Sequence, residues 1–349
     1  MPTLFDPITL GDIALKNRLV MSPLTRCRAG DGRVPNALMA EYYRARASAG
    51  LIITEATAIS PMSVGYPDTP GLWTAAQVEG WRQVVEGVHA AGGKIIPQIW
   101  HVGRLSDPEY LAGQQPVAPS AVAAEGHVSL LRPLRPYPVP RALKTEEIPG
   151  IIADFKTTAV NAKAAGFDGI ELHAANGYLI EQFLTDSVNH RTDAYGGSIE
   201  NRARLLLEVT DAFIEVWGAS SVGVHLSPRL ERNHDSNPAP LFTYIARELG
   251  LRKIAFIFLR EAEGPDALRP VIKSAFGGPV IANERLTQAS AARLVAEGEA
   301  DAAAFGECFI ANPDLVRRFA QNAPLNPPRS ELYYTGGAEG YTDYPTLAG

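Results

Sequence analysis

The chain has 349 residues, 46% of them hydrophobic and 20% charged, with a formal net charge of −6. That composition is ordinary for a globular protein, and its acidic balance excludes the concentrated basic face a nucleic-acid partner requires. Two cysteines, Cys27 and Cys308, are too few for a disulfide framework and point to a reducing, cytoplasmic setting.

The N-terminal stretch lacks a basic segment followed by an apolar core, so it reads as neither a signal peptide nor an anchor. Apolar runs such as Leu51–Ile59 fall short of a membrane span. The expected partner is therefore a small-molecule substrate, with no membrane or nucleic acid involved, acted on by a monomer or homodimer.

In chain order, residues 1–16 read as a short cap below a barrel. A strand is predicted over Arg18–Ser22 and a helix over Ala37–Ala49, then a strand over Ala49–Thr54 and a helix over Thr74–Ala91. The third strand, Lys94–Trp100, leads into residues 101–145, an insertion rich in Pro, Gly and Ala. Helix Glu146–Ala165 and strand Gly169–His173 follow, then helix Ile199–Trp217, strand Val222–Ser227 and helix Pro240–Leu249. The pattern ends with strand Lys253–Leu259, helix Ala267–Ala275, strand Pro279–Asn283, helix Thr287–Glu297, strand Asp301–Phe305 and helix Pro313–Gln321. Pro313 suits a first helical turn, where its missing N–H costs nothing. Gly166 and Gly250 stand where helices are expected to end. The strands are near-continuous apolar runs, as parallel strands covered on both faces require. Eight alternating units imply a (β/α)8 TIM barrel in a single domain over 1–349, with an open doubly wound sheet as the alternative.

Barrel enzymes assemble their sites from the carboxyl ends of the strands. Those ends carry Pro23, Leu24 and Thr25; Glu55 and Ala56; Gln98, Trp100 and His101; and His173, Asn176 and Tyr178. Further round they carry His225 and Ser227, then Arg260, Asn283, Gly306 and Glu307. The run His173-Ala-Ala-Asn176-Gly-Tyr178 can aim two donors at one oxygen. In a dry site each such donor is worth roughly 3–4 kcal/mol when charge grows on that oxygen. Tyr178, protonated at neutral pH, can serve as an acid. The bland alternative is that His173 and Asn176 only satisfy backbone groups in a turn. No metal is expected, since His173 has no Cys or carboxylate at ligand spacing. No Gly-x-Gly-x-x-Gly follows a strand, which removes the simplest dinucleotide-binding domain.

The sequence resembles the Old Yellow Enzyme family of FMN-dependent ene-reductases. The matching blocks are SPLTR at 22–26, EYYRARASAGLIITEAT at 41–57 and QIWHVGR at 98–104. They continue as GFDGIELHAANGYLIEQFL at 166–184, NHRTDAYGGSIENRARLLLEV at 189–209, FGECFIANPDL at 305–315 and GYTDYP at 340–345. The resemblance implies an NAD(P)H-dependent oxidoreductase that reduces C=C bonds activated by a carbonyl or nitro group. His173 and Asn176 would hold the activating oxygen, and Tyr178 would donate the proton. Pro23, Leu24, Thr25, Ala56 and Gln98 would lie along the flavin ring, and Tyr66, Trp100 and Tyr334 would line the substrate pocket.

Three departures from the family pattern face the flavin. Where the family has V-R-L-S-P, this chain has Val224-His225-Leu226-Ser227-Pro228. F-G-R becomes Phe305-Gly306-Glu307, and N-G-G becomes Asn283-Glu284-Arg285. A carboxylate beside a phosphate is repulsive by about 4 kcal/mol at ~4 Å and an effective dielectric of ~20. Arg260 or Arg285 could restore the balance. The bland reading is tolerated drift, with FMN still bound but less tightly; the alternative is that FMN binding is weakened or lost and the trio serves non-redox enone chemistry (isomerisation or conjugate addition) or ligand binding.

Overall fold

The computed structural model describes residues 1–229 and 235–348. A hairpin opens the chain: β1 (Ile8–Leu10) and β2 (Ile13–Leu15) pair antiparallel. Next come β3 (Leu19–Met21), α1 (Ala37–Arg44), β4 (Leu51–Ile53), β5 (Thr57–Ala58) and α2 (Ala75–Ala90). Segments β6 (Ile95–Ile96) and β7 (Gln98–Trp100) lead to a small parallel ladder of β8 (Val117–Ala118) and β9 (Arg141–Ala142) inside residues 101–145. The rest runs α3 (Ile148–Ala164), β10 (Ile170–Ala174), α4 (Leu179–Leu184), α5 (Ile199–Trp217), β11 (Val222–Leu226) and α6 (Pro238–Leu251). It ends with β12 (Phe256–Arg260), α7 (Arg269–Phe276), β13 (Val280–Asn283), α8 (Gln288–Ala296), β14 (Ala302–Phe305), α9 (Glu307–Ala311) and α10 (Leu315–Gln321).

The large sheet is parallel throughout, in the order β5-β7-β10-β11-β12-β13-β14-β3-β4-β6. Segments β4 and β5 are one interrupted strand, and β6 and β7 another, so pairing of β4 with β6 and of β5 with β7 closes the ring. Pro97 separates β6 from β7 because it has no N–H for the ladder. The architecture is thus a closed α/β barrel of the TIM type, and the open-sheet alternative falls.

Apolar side chains divide as a barrel requires. Those facing outward, such as Ile52, Leu172 and Val224, pack under the helices with Phe155, Phe213 and Leu241. Those facing inward, including Val20, Ile53, Ile96, Phe256, Phe258 and Ile281, form a second cluster. Leu10, Ile13 and Leu15 of the hairpin join that inner cluster. Asp12 N–H donates to Ser220 O at 2.8 Å, just ahead of β11, which sets the hairpin against the starts of the strands.

Several expected boundaries shift for local reasons. Helix α1 stops at Arg44, well before Ala49. Helix α6 runs through Gly250 to Leu251; a Cβ at Gly250 would stand 2.3 Å from Phe276 O, so close packing, not helix termination, requires that glycine. Pro313 lies outside α10, which starts at Leu315 after an Asp314 cap. Gly166 does follow a helix end, with φ +90. Two short helices, α4 and α9, were not expected. Each is too brief for an apolar period to show.

Candidate active site

At the carboxyl ends of the strands lies a cavity of about 510 Å³. One wall carries Asn176, His225, Phe258 and Arg260; the other carries Pro23, Leu24, Gly306 and Glu307, with Asn283, Glu284, Arg285 and Tyr334 completing the rim. Register explains the convergence. His173 of β10 pairs with His225 of β11, and His225 pairs with Phe258 of β12, so three inward side chains share one layer. The imidazoles of His173 and His225 stack at 5.0 Å, and Trp100 stacks on the other side of His173 at 6.1 Å.

His173 is held in one tautomer. Ala175 N–H donates to its Nδ1 at 3.3 Å, so the neutral ring carries its hydrogen on Nε2. Burial, with Arg260 nearby, pushes its pKa down to about 3, and the ring is neutral at pH 7. Asn176 adopts a left-handed backbone, φ 59, in the turn that follows β10. Asn is among the few residues that visit that region routinely. Arg260 Nη1 donates to Asn176 Oδ1 at 2.9 Å, leaving the amide to present Nδ2. Asn176 Nδ2 stands 3.4 Å from His173 Nε2. Both nitrogens bear hydrogen, so they do not satisfy each other; they form a two-donor clamp for an oxygen.

Buried acid fixes the turn. Glu181 of α4 accepts from Gly177 N at 2.5 Å and from Ser227 Oγ at 2.6 Å, and Ser227 Oγ accepts from Asn176 N at 2.8 Å. Burial raises the Glu181 pKa to about 7. Beneath His225 lies a second buried acid. Gln98 Nε2 donates to Glu171 Oε2 at 2.7 Å and stands 2.9 Å from His225 Nδ1. His225 therefore keeps its hydrogen on Nε2, and that atom is buried without a protein partner. Burial, then His173 and Arg260, hold the His225 pKa well below the usual histidine value. Glu171, wholly buried, is pushed up to about 8 by desolvation.

Tyr178 packs edge-on against Trp100 at 4.6 Å and His173 at 4.9 Å. Its hydroxyl lies 2.8 Å from that of Tyr66, which stacks on Trp100 at 5.5 Å. These aromatic groups form an apolar cluster with Ala56, Ala58 and Val102, beside the cavity and not on its lining.

The expected site residues separate accordingly. Pro23, Leu24, Asn176, His225, Asn283, Arg285, Gly306, Glu307 and Tyr334 meet at the cavity, while His173, Tyr178, Trp100 and Tyr66 stand together behind Asn176 and His225. Gln98 and Ala56 are buried beneath, and Thr25 is half-buried; none of the three borders the cavity. Arg285 stands on the rim with its side chain 84% exposed. Arg260 reaches two strands across and also binds Glu284 at 2.6 Å through Nε.

Sequence reasoning missed the roles of Glu171 and Glu181. Each is an acidic residue inside a mainly apolar, fully buried segment, and that mismatch is the signal that could have found them. Cys308 lies on the cavity wall.

Comparison with known proteins places this geometry. The family model described as NADH:flavin oxidoreductase / NADH oxidase matches residues 3–326. A probable flavin mononucleotide-dependent alkene reductase of Leishmania infantum is 45% identical, over 99% of this chain and 97% of that protein. The 12-oxophytodienoate reductase 1 of Oryza sativa subsp. japonica is 42% identical, over 99% of this chain and 93% of its own. Among solved structures, morphinone reductase in complex with tetrahydroNAD superposes with a TM-score of 0.96 at 49% identity, covering 100% of this chain and 98% of that one. The old yellow enzyme homologue from Zymomonas mobilis gives 0.96 at 46% identity, covering 99% and 100%.

Proposed function

Because the chain belongs to the NADH:flavin oxidoreductase / NADH oxidase family, the Old Yellow Enzyme group, we propose that it reduces carbon–carbon double bonds conjugated to a carbonyl or nitro group, with a flavin in the cavity and a nicotinamide as electron source. One observation carries the reading: two hydrogen-bearing nitrogens, His173 Nε2 and Asn176 Nδ2, stand 3.4 Å apart beside a cavity of flavin-sized volume.

The ring end of a flavin fits what the protein offers. Pro23 and Leu24 supply aliphatic surface, and the orphaned His225 Nε2–H supplies a donor that a ring nitrogen or carbonyl would satisfy. The far end, with Glu284 and Glu307 on the wall, fits a phosphate poorly. A flavin held there by Pro23, Leu24 and His225 would supply the hydride chemistry, with a nicotinamide as its reductant.

The remaining steps belong to the chain. An enone oxygen seats between His173 Nε2 and Asn176 Nδ2, where both donors strengthen as charge moves onto it. Arg260 keeps the amide turned the right way, and Glu181 with Ser227 keeps the turn rigid. Tyr178, its hydroxyl bonded to that of Tyr66, delivers a proton to the α-carbon. Trp100 closes the site from water, and Tyr66 and Tyr334 bound the substrate on either side. A single domain over 1–349 carries all these groups.

A flavin-free second reading, proton transfer on an enone, draws on the acidic far wall. Anaerobic spectroscopy decides between them. The flavin-loaded protein should bleach on adding NADH or NADPH and regain its absorbance on adding cyclohexenone. Enone turnover without nicotinamide consumption favours the second reading, and a protein that takes up no flavin defeats the first.

A further inference from the structure

The far end of the cavity is built from two short segments, Asn283-Glu284-Arg285-Leu286 and Gly306-Glu307-Cys308. Glu284 and Arg285 both lie in the left-handed region, with φ 96 and φ 54. The loop therefore bends as a glycine pair would, yet it carries side chains. Two carboxylates, Glu284 and Glu307, line this end. Arg260 pairs with Glu284, which leaves Glu307 as the carboxylate without a salt bridge at this end. Arg260 is committed, 2.6 Å from Glu284 through Nε and 2.9 Å from Asn176 Oδ1 through Nη1. Arg285 is 84% exposed, and its nearest carboxylate, Glu284, is 3.7 Å away.

Donor and acceptor chemistry gives this arrangement a sign. A carboxylate only accepts hydrogen bonds. A terminal phosphate brings negative charge and acceptor oxygens, so it meets repulsion from Glu307, with the exposed Arg285 as the one lining cation not already hydrogen-bonded elsewhere. A terminal hydroxyl is uncharged and donates, so it can satisfy a carboxylate oxygen. We infer that this cavity takes a flavin ending in a hydroxyl, riboflavin, in preference to one ending in a phosphate. The inference rests on the reading that a flavin occupies the cavity, and it concerns only which end that flavin presents to Glu284 and Glu307.

Flavin-depleted protein titrated with riboflavin and with FMN, followed by quenching of flavin fluorescence, tests it. Riboflavin should bind roughly tenfold tighter at low salt, the scale of one partly screened charge pair. The gap should narrow as ionic strength rises and the Debye length shortens. Glu307→Arg should reverse the order, and Glu307→Gln should bring the two affinities together; Glu307 is exposed, so neither change threatens folding. Equal or tighter binding of FMN by the unaltered protein overturns the inference while leaving the enzyme reading standing. Binding of neither flavin overturns both.

Discussion

A neutral imidazole can grip an oxygen only through the nitrogen that bears its hydrogen, and in His173 the Ala175 N–H decides which nitrogen that is. Asn176 is decided in the same way by Arg260, whose guanidinium caps the amide oxygen. Asn176→Ala should lower enone turnover by about 10²-fold, the cost of one such donor. Arg260→Leu should give a smaller loss, about tenfold, seen chiefly as a raised KM, because the amide is then free to flip. Steady-state kinetics on one enone checks both, and an Arg260→Leu enzyme with unchanged KM would remove the positioning role. With its pKa near 3, His173 stays neutral and should itself add no change in enone affinity between pH 5 and 8; any change in that window should trace to Glu181, whose pKa is raised to about 7, and vanish in Glu181→Gln. The same depressed value places a stability term above the ordinary histidine range, lost as pH falls from about 6.5 towards 3. The motif His173-Ala-Ala-Asn176 was legible because it is local. The Arg260 contact was not, because a side chain crossing from β12 to the turn after β10 leaves no trace in spacing.

At the scale of elements, β10 and α4 each hold a buried acid: Glu181 sits under the turn bearing Asn176, and Glu171 lies beneath His225 through Gln98. The Glu171 pKa is raised, so the folded protein holds a proton that the unfolded chain releases above its ordinary range. Its contribution is intact at low pH and is lost as pH climbs from about 4.5 towards 8. Glu171→Gln should therefore raise stability by about 2 kcal/mol at pH 8 and leave it nearly unchanged at pH 4. Denaturant melts at the two pH values test this, and an equal effect at both would refute it. Strand order and helix positions were readable because apolar periodicity is a local signal. The run of α6 through Gly250 depends on Phe276, distant in sequence, whereas α4 and α9 are too short for a period to show.

Over the whole molecule, the two ends of the barrel are finished differently. The starts of the strands are sealed by the β1–β2 hairpin, with Leu10 fully buried among inward-facing barrel residues. Leu10→Ala should cost about 2–5 kcal/mol of stability while leaving flavin and enone affinities unchanged well below the melting transition; thermal melts alongside ligand titrations would show it. At the other end the strand-1 loop is fastened to the C-terminal segment. Arg26 binds Gly340 O at 2.7 Å, and Arg28 binds Gly337 O at 2.9 Å and Leu332 O at 3.0 Å. Tyr341 stacks on Tyr42 at 4.0 Å beneath both guanidinium groups. That segment also supplies Tyr334 to the rim, so the cavity mouth is assembled from residues some three hundred positions apart.

The hairpin has a practical corollary. Met1 is 99% exposed, three residues ahead of Leu4, whose carbonyl accepts from Arg18 N at 2.9 Å just before β3. A bead or electrode coupled through a cysteine placed at position 1 would leave the opposite face, and every approach to it, turned toward the bulk liquid.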